Sequence, residues 1–242
     1  ALELGNVKVA NIVLIGALIG ATDRVKVARI ALHFWEEPPI SGTNGSGTVF
    51  FSGCNLKCVF CQNEDISSGC FGKEITVERL REIYLELINK GAHNINLVTG
   101  THFINAIAKS LEEPLTVPVV YNCGGYESIE ALKKLENKIQ IYIPDLKYAD
   151  NDLAKRYSKA PDYFQIATRA IKEMYNQVGD YIIDDEGVMK KGVIIRHLIL
   201  PGHLENTKRI IDWIKNTFNE GEILFGTVIC NLFLNFCEIY YT

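Results

Sequence analysis

Residues 95–143 read INLVTGTHFINAIAKSLEEPLTVPVVYNCGGYESIEALKKLENKIQIYI. Short β-branched runs begin at Ile95, Val117 and Ile139, each 22 residues after the one before. One strand, one helix and two short loops fill such an interval, and helical spacing covers about His102–Leu111 and Ser128–Leu135. This alternation predicts a parallel sheet with right-handed crossovers. Outward from it, further strands are expected at Thr48–Ser52, Val193–Leu200 and, more weakly, Ile223–Ile229. Helices are expected over 75–91, where Leu80, Ile83, Tyr84, Leu87 and Ile88 share a stripe, and over Tyr163–Val178 and Glu205–Phe218. Six strand–helix units predict an α/β fold, a single domain built as a partial (βα)6-type barrel with parallel strands. Residues 1–47 are expected as an N-terminal extension packing on a core of 48–242, whose tail after about Phe218 is atypical. Glu36-Glu37-Pro38-Pro39, Ser41–Gly47 and Asp184–Gly187 read as loops within that domain.

The 29 acidic and 25 basic side chains leave a net charge of −4, which gives no support for nucleic acid as a partner. Residues 12–20 (IVLIGALIG) are too short to span a membrane and read as a buried strand, so no membrane association is expected. Seven cysteines are too few and too uneven for a secreted disulfide scaffold, and a cytoplasmic location is expected.

Three of those cysteines follow the strand TVFFS and Gly53 as Cys54-Asn-Leu-Lys-Cys58-Val-Phe-Cys61. In a βα fold that position is the carboxyl rim, where functional groups gather. Three thiolates on one loop suit a soft metal centre, iron–sulfur or zinc. Cys70 and Cys123 are the available fourth ligands; without either, a [4Fe–4S] cluster keeps one iron open for a small molecule.

GCNLKCVFCQN resembles the signature of radical S-adenosylmethionine (radical SAM) enzymes. SGTVFFSGCNLKCVFCQNEDIS, VVYNCGGYES, IYIPDLKY, APDYF and VIIRHLILPG resemble the pyruvate formate-lyase activating enzyme-related branch, so the resemblance covers about residues 24–218. It implies that Cys54, Cys58 and Cys61 hold three irons of a [4Fe–4S] cluster. S-adenosylmethionine would chelate the fourth iron and be cleaved reductively to a 5′-deoxyadenosyl radical that abstracts hydrogen from a substrate. That substrate is a glycyl radical enzyme or a small molecule, and the electron donor a protein such as flavodoxin or ferredoxin. The rival reading is a non-catalytic, metal-stapled or electron-transfer protein with Cys70 or Cys123 as fourth ligand.

Phe60 stands where the family has an aromatic near the adenine, or else anchors the loop in the core. Gly-Thr-His at 100–102 replaces the family's Gly-Gly-Glu-Pro segment, which leaves carbonyls near Thr99 and Gly100 as candidates for the cofactor amino group. His102 is expected to be a capping or surface residue. Asn122 ends a strand before Gly124-Gly125 and faces either a ligand or a plain turn. Asp145 and Lys147 fall on the same side of their strand, as cofactor-binding groups or a structural ion pair. Arg196 and His197 must face opposite sides: Arg196 inward toward an anionic ligand, His197 toward the helices.

Overall fold

A computed structural model describes residues 23–230 and 237–241; the run 12–20 lies outside the described residues. The strands are β1 (Arg24–His33), β2 (Ser46–Phe51), β3 (Lys73–Thr76), β4 (Ile95–Val98), β5 (Val119–Cys123), β6 (Ile141–Pro144), β7 (Ile182–Ile183), β8 (Met189–Ile199), β9 (Leu224–Cys230) and β10 (Cys237–Tyr241). The helices are α1 (Pro38–Ser41), α2 (Glu64–Ser67), α3 (Val77–Asn89), α4 (Ile104–Ser110), α5 (Ile129–Lys133), α6 (Asn151–Ser158), α7 (Tyr163–Val178) and α8 (Leu204–Thr217). The sheet order is β10-β9-β8-β6-β5-β4-β2-β1-β3, with β7 paired to β8. From β2 through β9 the six neighbours on this path run parallel, as the sequence pattern predicts. No helix among the described residues is long and apolar enough to cross a membrane.

The flanks depart from an all-parallel sheet: β1 pairs antiparallel with β2 and β3, and β10 antiparallel with β9. Val25 and Val27 of β1 are buried while Arg24 is exposed, the alternation of a half-covered strand. A register shift between Val27 and Arg29 interrupts that alternation, which hides β1 from a simple period-two reading. Helix α6 also escapes the apolar pattern, because NDLAKRYS is mostly polar; Asp150 starts it by accepting from the Asp152 and Leu153 amides. The strands expected from 117 and 139 begin two residues later. Pro118 has no N–H for the ladder, and the Gln140 side chain accepts from the Val119 amide.

Alternation along the strands makes two cores. Tyr142 and Ile195 point outward under the helices, with Leu80, Ile83 and Leu87 of α3 packed in the same layer, each burial contributing roughly 2 kcal/mol. Val120, Ile141, Ile143 and Ile194 point inward and form a separate cluster with Met189 and Ile40. Ile40 comes from α1, so the Glu-Glu-Pro-Pro segment expected as a loop delivers an apolar plug to the barrel interior. Asn94 Nδ2 holds that plug by donating to the Ile40 carbonyl at 2.7 Å.

His197 faces outward as expected. Its Nδ1 donates to the Leu146 carbonyl at 2.7 Å and its Nε2 accepts from Thr207 Oγ1 on α8 at 2.9 Å.

Candidate active site

At the carboxyl end of β2 the chain turns through Gly53, whose φ of +94° favours glycine and whose missing side chain leaves room for His102 Nε2, 3.0 Å from where a Cβ would stand. The cysteine loop that follows is held from three sides. Its Lys57 and Val59 amides donate to the Ser158 and Tyr157 carbonyls at 3.1 and 2.9 Å. Asn55 Nδ2 donates to the Tyr126 carbonyl at 2.7 Å, and Leu56 is buried in the outer core. Each cysteine sulfur has a polar neighbour: the Leu56 amide at 3.4 Å from Cys54, Ser158 Oγ at 3.0 Å from Cys58, and Ser67 Oγ at 3.2 Å from Cys61.

Burial pushes the Cys54 thiol up to about 12, against the Leu56 N–H and Lys147. Burial also raises Cys58, against Lys147 and the Ser158 hydroxyl. Such thiols stay protonated at neutral pH unless a metal centre supplies the compensating charge.

A cavity of about 440 Å³ opens beside the loop. Cys54, Cys58, Cys61 and Phe60 line it together with Asn122 of β5, Asp145 and Lys147 just after β6, and Arg196 of β8. Phe60 also packs on Tyr148, with ring centroids 6.4 Å apart. Gly100 does not line the cavity. A Cβ there would meet Ile107 Cδ1 at 2.4 Å, so its smallness serves helix packing rather than approach to a ligand. The cavity instead meets Thr99, held at φ +60° with its amide on the Asn122 carbonyl at 2.9 Å.

The cavity walls fit a cluster with three cysteine ligands. Cys123 lines the cavity but is buried in the outer core cluster, and Cys70 is absent from the lining. Among the described residues no three His, Cys, Asp or Glu side chains converge as ligands of one metal ion do.

Arg196 faces inward as expected, but its partners belong to the protein. Its guanidinium donates to Glu36 Oε1 at 2.9 Å, Asp145 Oδ1 at 3.0 Å and Asn122 Oδ1 at 2.6 Å, with Glu37 at 3.7 Å. Glu36 Oε2 also accepts from Asn96 and Asn122 at 2.8 and 3.1 Å. The ion pair between Asp145 and Lys147 exists and sits on the cavity wall, so the two readings of that pair coincide. Burial would raise the Asp145 carboxyl, but Arg196 and Lys147 outweigh it and hold it below the usual carboxylate range. Burial would lower Lys147, and Asp145 with Cys58 raises it instead.

Sequence reasoning missed Glu36 and Glu37; the usable signal was that an inward Arg196 on a buried strand demands carboxylates. It also misplaced His102, which caps no helix and is half-buried rather than a free surface residue. His102 Nε2 donates to the Ser52 carbonyl at 2.7 Å, and its buried Nδ1 has no hydrogen-bond partner among the described residues. Glu127 was missed as well: burial outweighs its bonds from Thr101, Tyr121 and Cys123 and raises it to about 7.

Tyr163, the first residue of α7, ties the rim together. Its hydroxyl is shared between the Gly124 and Asp145 carbonyls at 2.8 and 2.7 Å and accepts from the Lys147 amide at 3.1 Å. Gly125 lies inside this knot at φ +77°, with the Asp145 carbonyl oxygen 2.1 Å from where a Cβ would stand. Gly125→Ala is therefore expected to cost at least the roughly 1–3 kcal/mol of an unfavourable backbone. It should also push the β6 end away from the cavity. Thermal unfolding and S-adenosylmethionine titration should both register the change; unaltered affinity would show that the Asp145–Lys147 turn is not part of the binding wall.

Burial lowers both His102 and His197. A histidine depressed in the folded state adds stability above its unfolded value of about 6.5, and loses it as pH falls through the folded value. Urea midpoints should thus decline from about pH 7.5 toward about pH 5. His102→Gln should flatten part of that decline, and an identical slope in the variant would rule out His102 as a contributor.

The model of the radical SAM superfamily matches residues 48–214, more than half of the chain and all of the rim from the cysteine loop to Arg196. The chain is 33% identical over 202 residues to the uncharacterized protein MJ0674 of Methanocaldococcus jannaschii, covering 79% of this chain and 55% of that one. It is thus similar to about half the length of that relative. It is 26% identical over 196 residues to the pyruvate formate-lyase-activating enzyme of Clostridium pasteurianum, covering 76% and 75%. In fold it is similar to Streptococcus suis SuiB, with a TM-score of 0.52 at 14% identity over 79% of this chain and 40% of that one. Methylornithine synthase (PylB) aligns with a TM-score of 0.50 at 16% identity, covering 74% and 52%. A cysteine-bearing rim loop on a partial parallel barrel, matched by the family model over residues 48–214, means that this chain belongs to the radical SAM superfamily, whose enzymes use a [4Fe–4S] cluster and S-adenosylmethionine.

Proposed function

We propose that Cys54, Cys58 and Cys61 are the three protein ligands of the cluster and that S-adenosylmethionine occupies the cavity between them and Lys147. The observation that carries this reading is one cavity lined by all three cysteines and by the Asn122, Asp145 and Lys147 side chains. Bound there, cluster and S-adenosylmethionine supply reductive cleavage to a 5′-deoxyadenosyl radical. The chain's own residues position and enclose. Lys147, fixed by Asp145, offers an ammonium to the cofactor carboxylate, and Asn122 offers an amide held by Glu36 and Arg196. Phe60 gives the adenine an apolar face, and Leu56 seals the loop against water. Thr99, in place of Gly100, presents backbone to the amino group. Arg196 acts through Asp145 and Asn122 as a positioning residue.

The finer role we propose is activation of a glycyl radical enzyme, with flavodoxin or ferredoxin as electron donor, in a reducing cytosol where unpaired thiols persist. Likeness to the C. pasteurianum activating enzyme across three quarters of both chains supports it. The test is anaerobic reconstitution, reduction with S-adenosylmethionine, and assay of 5′-deoxyadenosine. A glycyl-radical signal in electron paramagnetic resonance should then appear on an added pyruvate formate-lyase. Cofactor cleavage without that signal would point to a small-molecule substrate, a reading favoured by the cavity wall that β1 contributes outside the family-matched segment. A zinc-binding protein with no cleavage would overturn both.

A further inference from the structure

The cavity has a second wall that the cofactor reading leaves unused. It comes from Arg29 and His33 of β1, Trp35 just after that strand, and Phe50 of β2. Arg29, His33 and Trp35 precede Thr48, where the family match begins, so they lie outside the shared superfamily core.

Charge balance distinguishes this wall from the rest. Glu36, Glu37 and Asp145 are engaged with Arg196, and Asp145 also with Lys147. Arg29 makes no salt bridge among the described residues; its guanidinium carbon lies 6.0 Å from the centroid of the Phe50 ring. His33 meets the same ring edge-on at 6.3 Å. A guanidinium set against an aromatic ring is steadied yet keeps its N–H fork for a planar or tetrahedral anion. Trp35, 86% exposed, stands at the same wall and adds an apolar surface.

We propose that this wall binds the anionic end of the substrate, a carboxylate or phosphate, with Arg29 and His33 as its donors and the group beside it packed on Phe50 and Trp35. The inference rests on the reading that this cavity is the reaction site, and for that site it takes the small-molecule reading over the glycyl radical enzyme.

The test titrates the reconstituted protein, with S-adenosylmethionine present, with phenyl phosphate and phenylacetate against the neutral probes phenol and phenylacetamide. At least one anion should bind about tenfold more tightly than its neutral counterpart, and Arg29→Met should remove that preference. Which anion is preferred distinguishes phosphate from carboxylate. Arg24→Met should change nothing, because Arg24 is paired with Glu74 outside the cavity. Equal affinity for anionic and neutral probes, or an anion preference that survives Arg29→Met, overturns the proposal. So does anion binding abolished by saturating S-adenosylmethionine, since the anion would then occupy the cofactor's carboxylate site. Arg29-dependent binding in a protein that makes no 5′-deoxyadenosine upholds this wall while overturning the proposed function.

Discussion

Cys58→Ala is expected to leave a protein that holds little iron after anaerobic reconstitution and forms no measurable 5′-deoxyadenosine. Loss of a group that merely orients a ligand costs about 10–100-fold, and loss of a ligand itself should exceed that. The structure supplies the graded comparison. Ser158 Oγ donates to Cys58 Sγ at 3.0 Å, so Ser158→Ala should fall in the orienting range. Cys123→Ala should spare the cluster, because that side chain faces the outer core, and Cys70→Ala should spare it because Cys70 is not on the cavity wall. Iron and sulfide content with 5′-deoxyadenosine yield, measured on all four variants, checks the pattern. Equal iron loss in Cys70→Ala would mean a four-cysteine site and would sink the catalytic reading.

The second large effect concerns stability. Arg196→Met removes the cation around which Glu36, Glu37 and Asp145 are gathered, with their side chains only 2–21% exposed. Breaking a buried pair by deleting one partner costs about 3–5 kcal/mol, because the other charge stays buried. A typical domain has about 5–15 kcal/mol in total, so the loss should be plain in a urea titration. The pH dependence follows in sign. Without Arg196 the Asp145 carboxyl loses a cation that holds it down against burial, so less of the stability its ionised form contributes is left to be lost in acid. The deficit relative to wild type should therefore shrink toward acid pH. A variant within about 1 kcal/mol of wild type at neutral pH would mean that water or Lys147 already compensates these carboxylates.

Much of the fold was visible in local pattern. The six parallel strands and helices α3, α7 and α8 carry strong apolar periodicity, which burial enforces regardless of what packs on them. Strand β1 was not visible, because a register shift after Val27 breaks its alternation and its pairing is with a strand 13 or more residues away. The site divides along the same line. Cys54, Cys58 and Cys61 are close in sequence, so their shared chemistry is legible from spacing. Glu36 is 160 residues from Arg196, and no local rule connects them.

What the linear chain determined by itself was therefore the repeating unit and the metal-binding loop, since both depend on contacts within a few turns of backbone. Strand alternation already gave the faces of Arg196 and His197; tertiary structure alone decided which partner each rim residue meets. It buried Cys123 in the outer core, set Ile107 against Gly100, placed His102 beneath Gly53, and gave Arg196 the protein's own carboxylates. The reason is physical: a buried charge or an unfilled volume is satisfied by whatever the closed barrel brings within a few ångströms, and that neighbour is set by topology rather than by sequence distance.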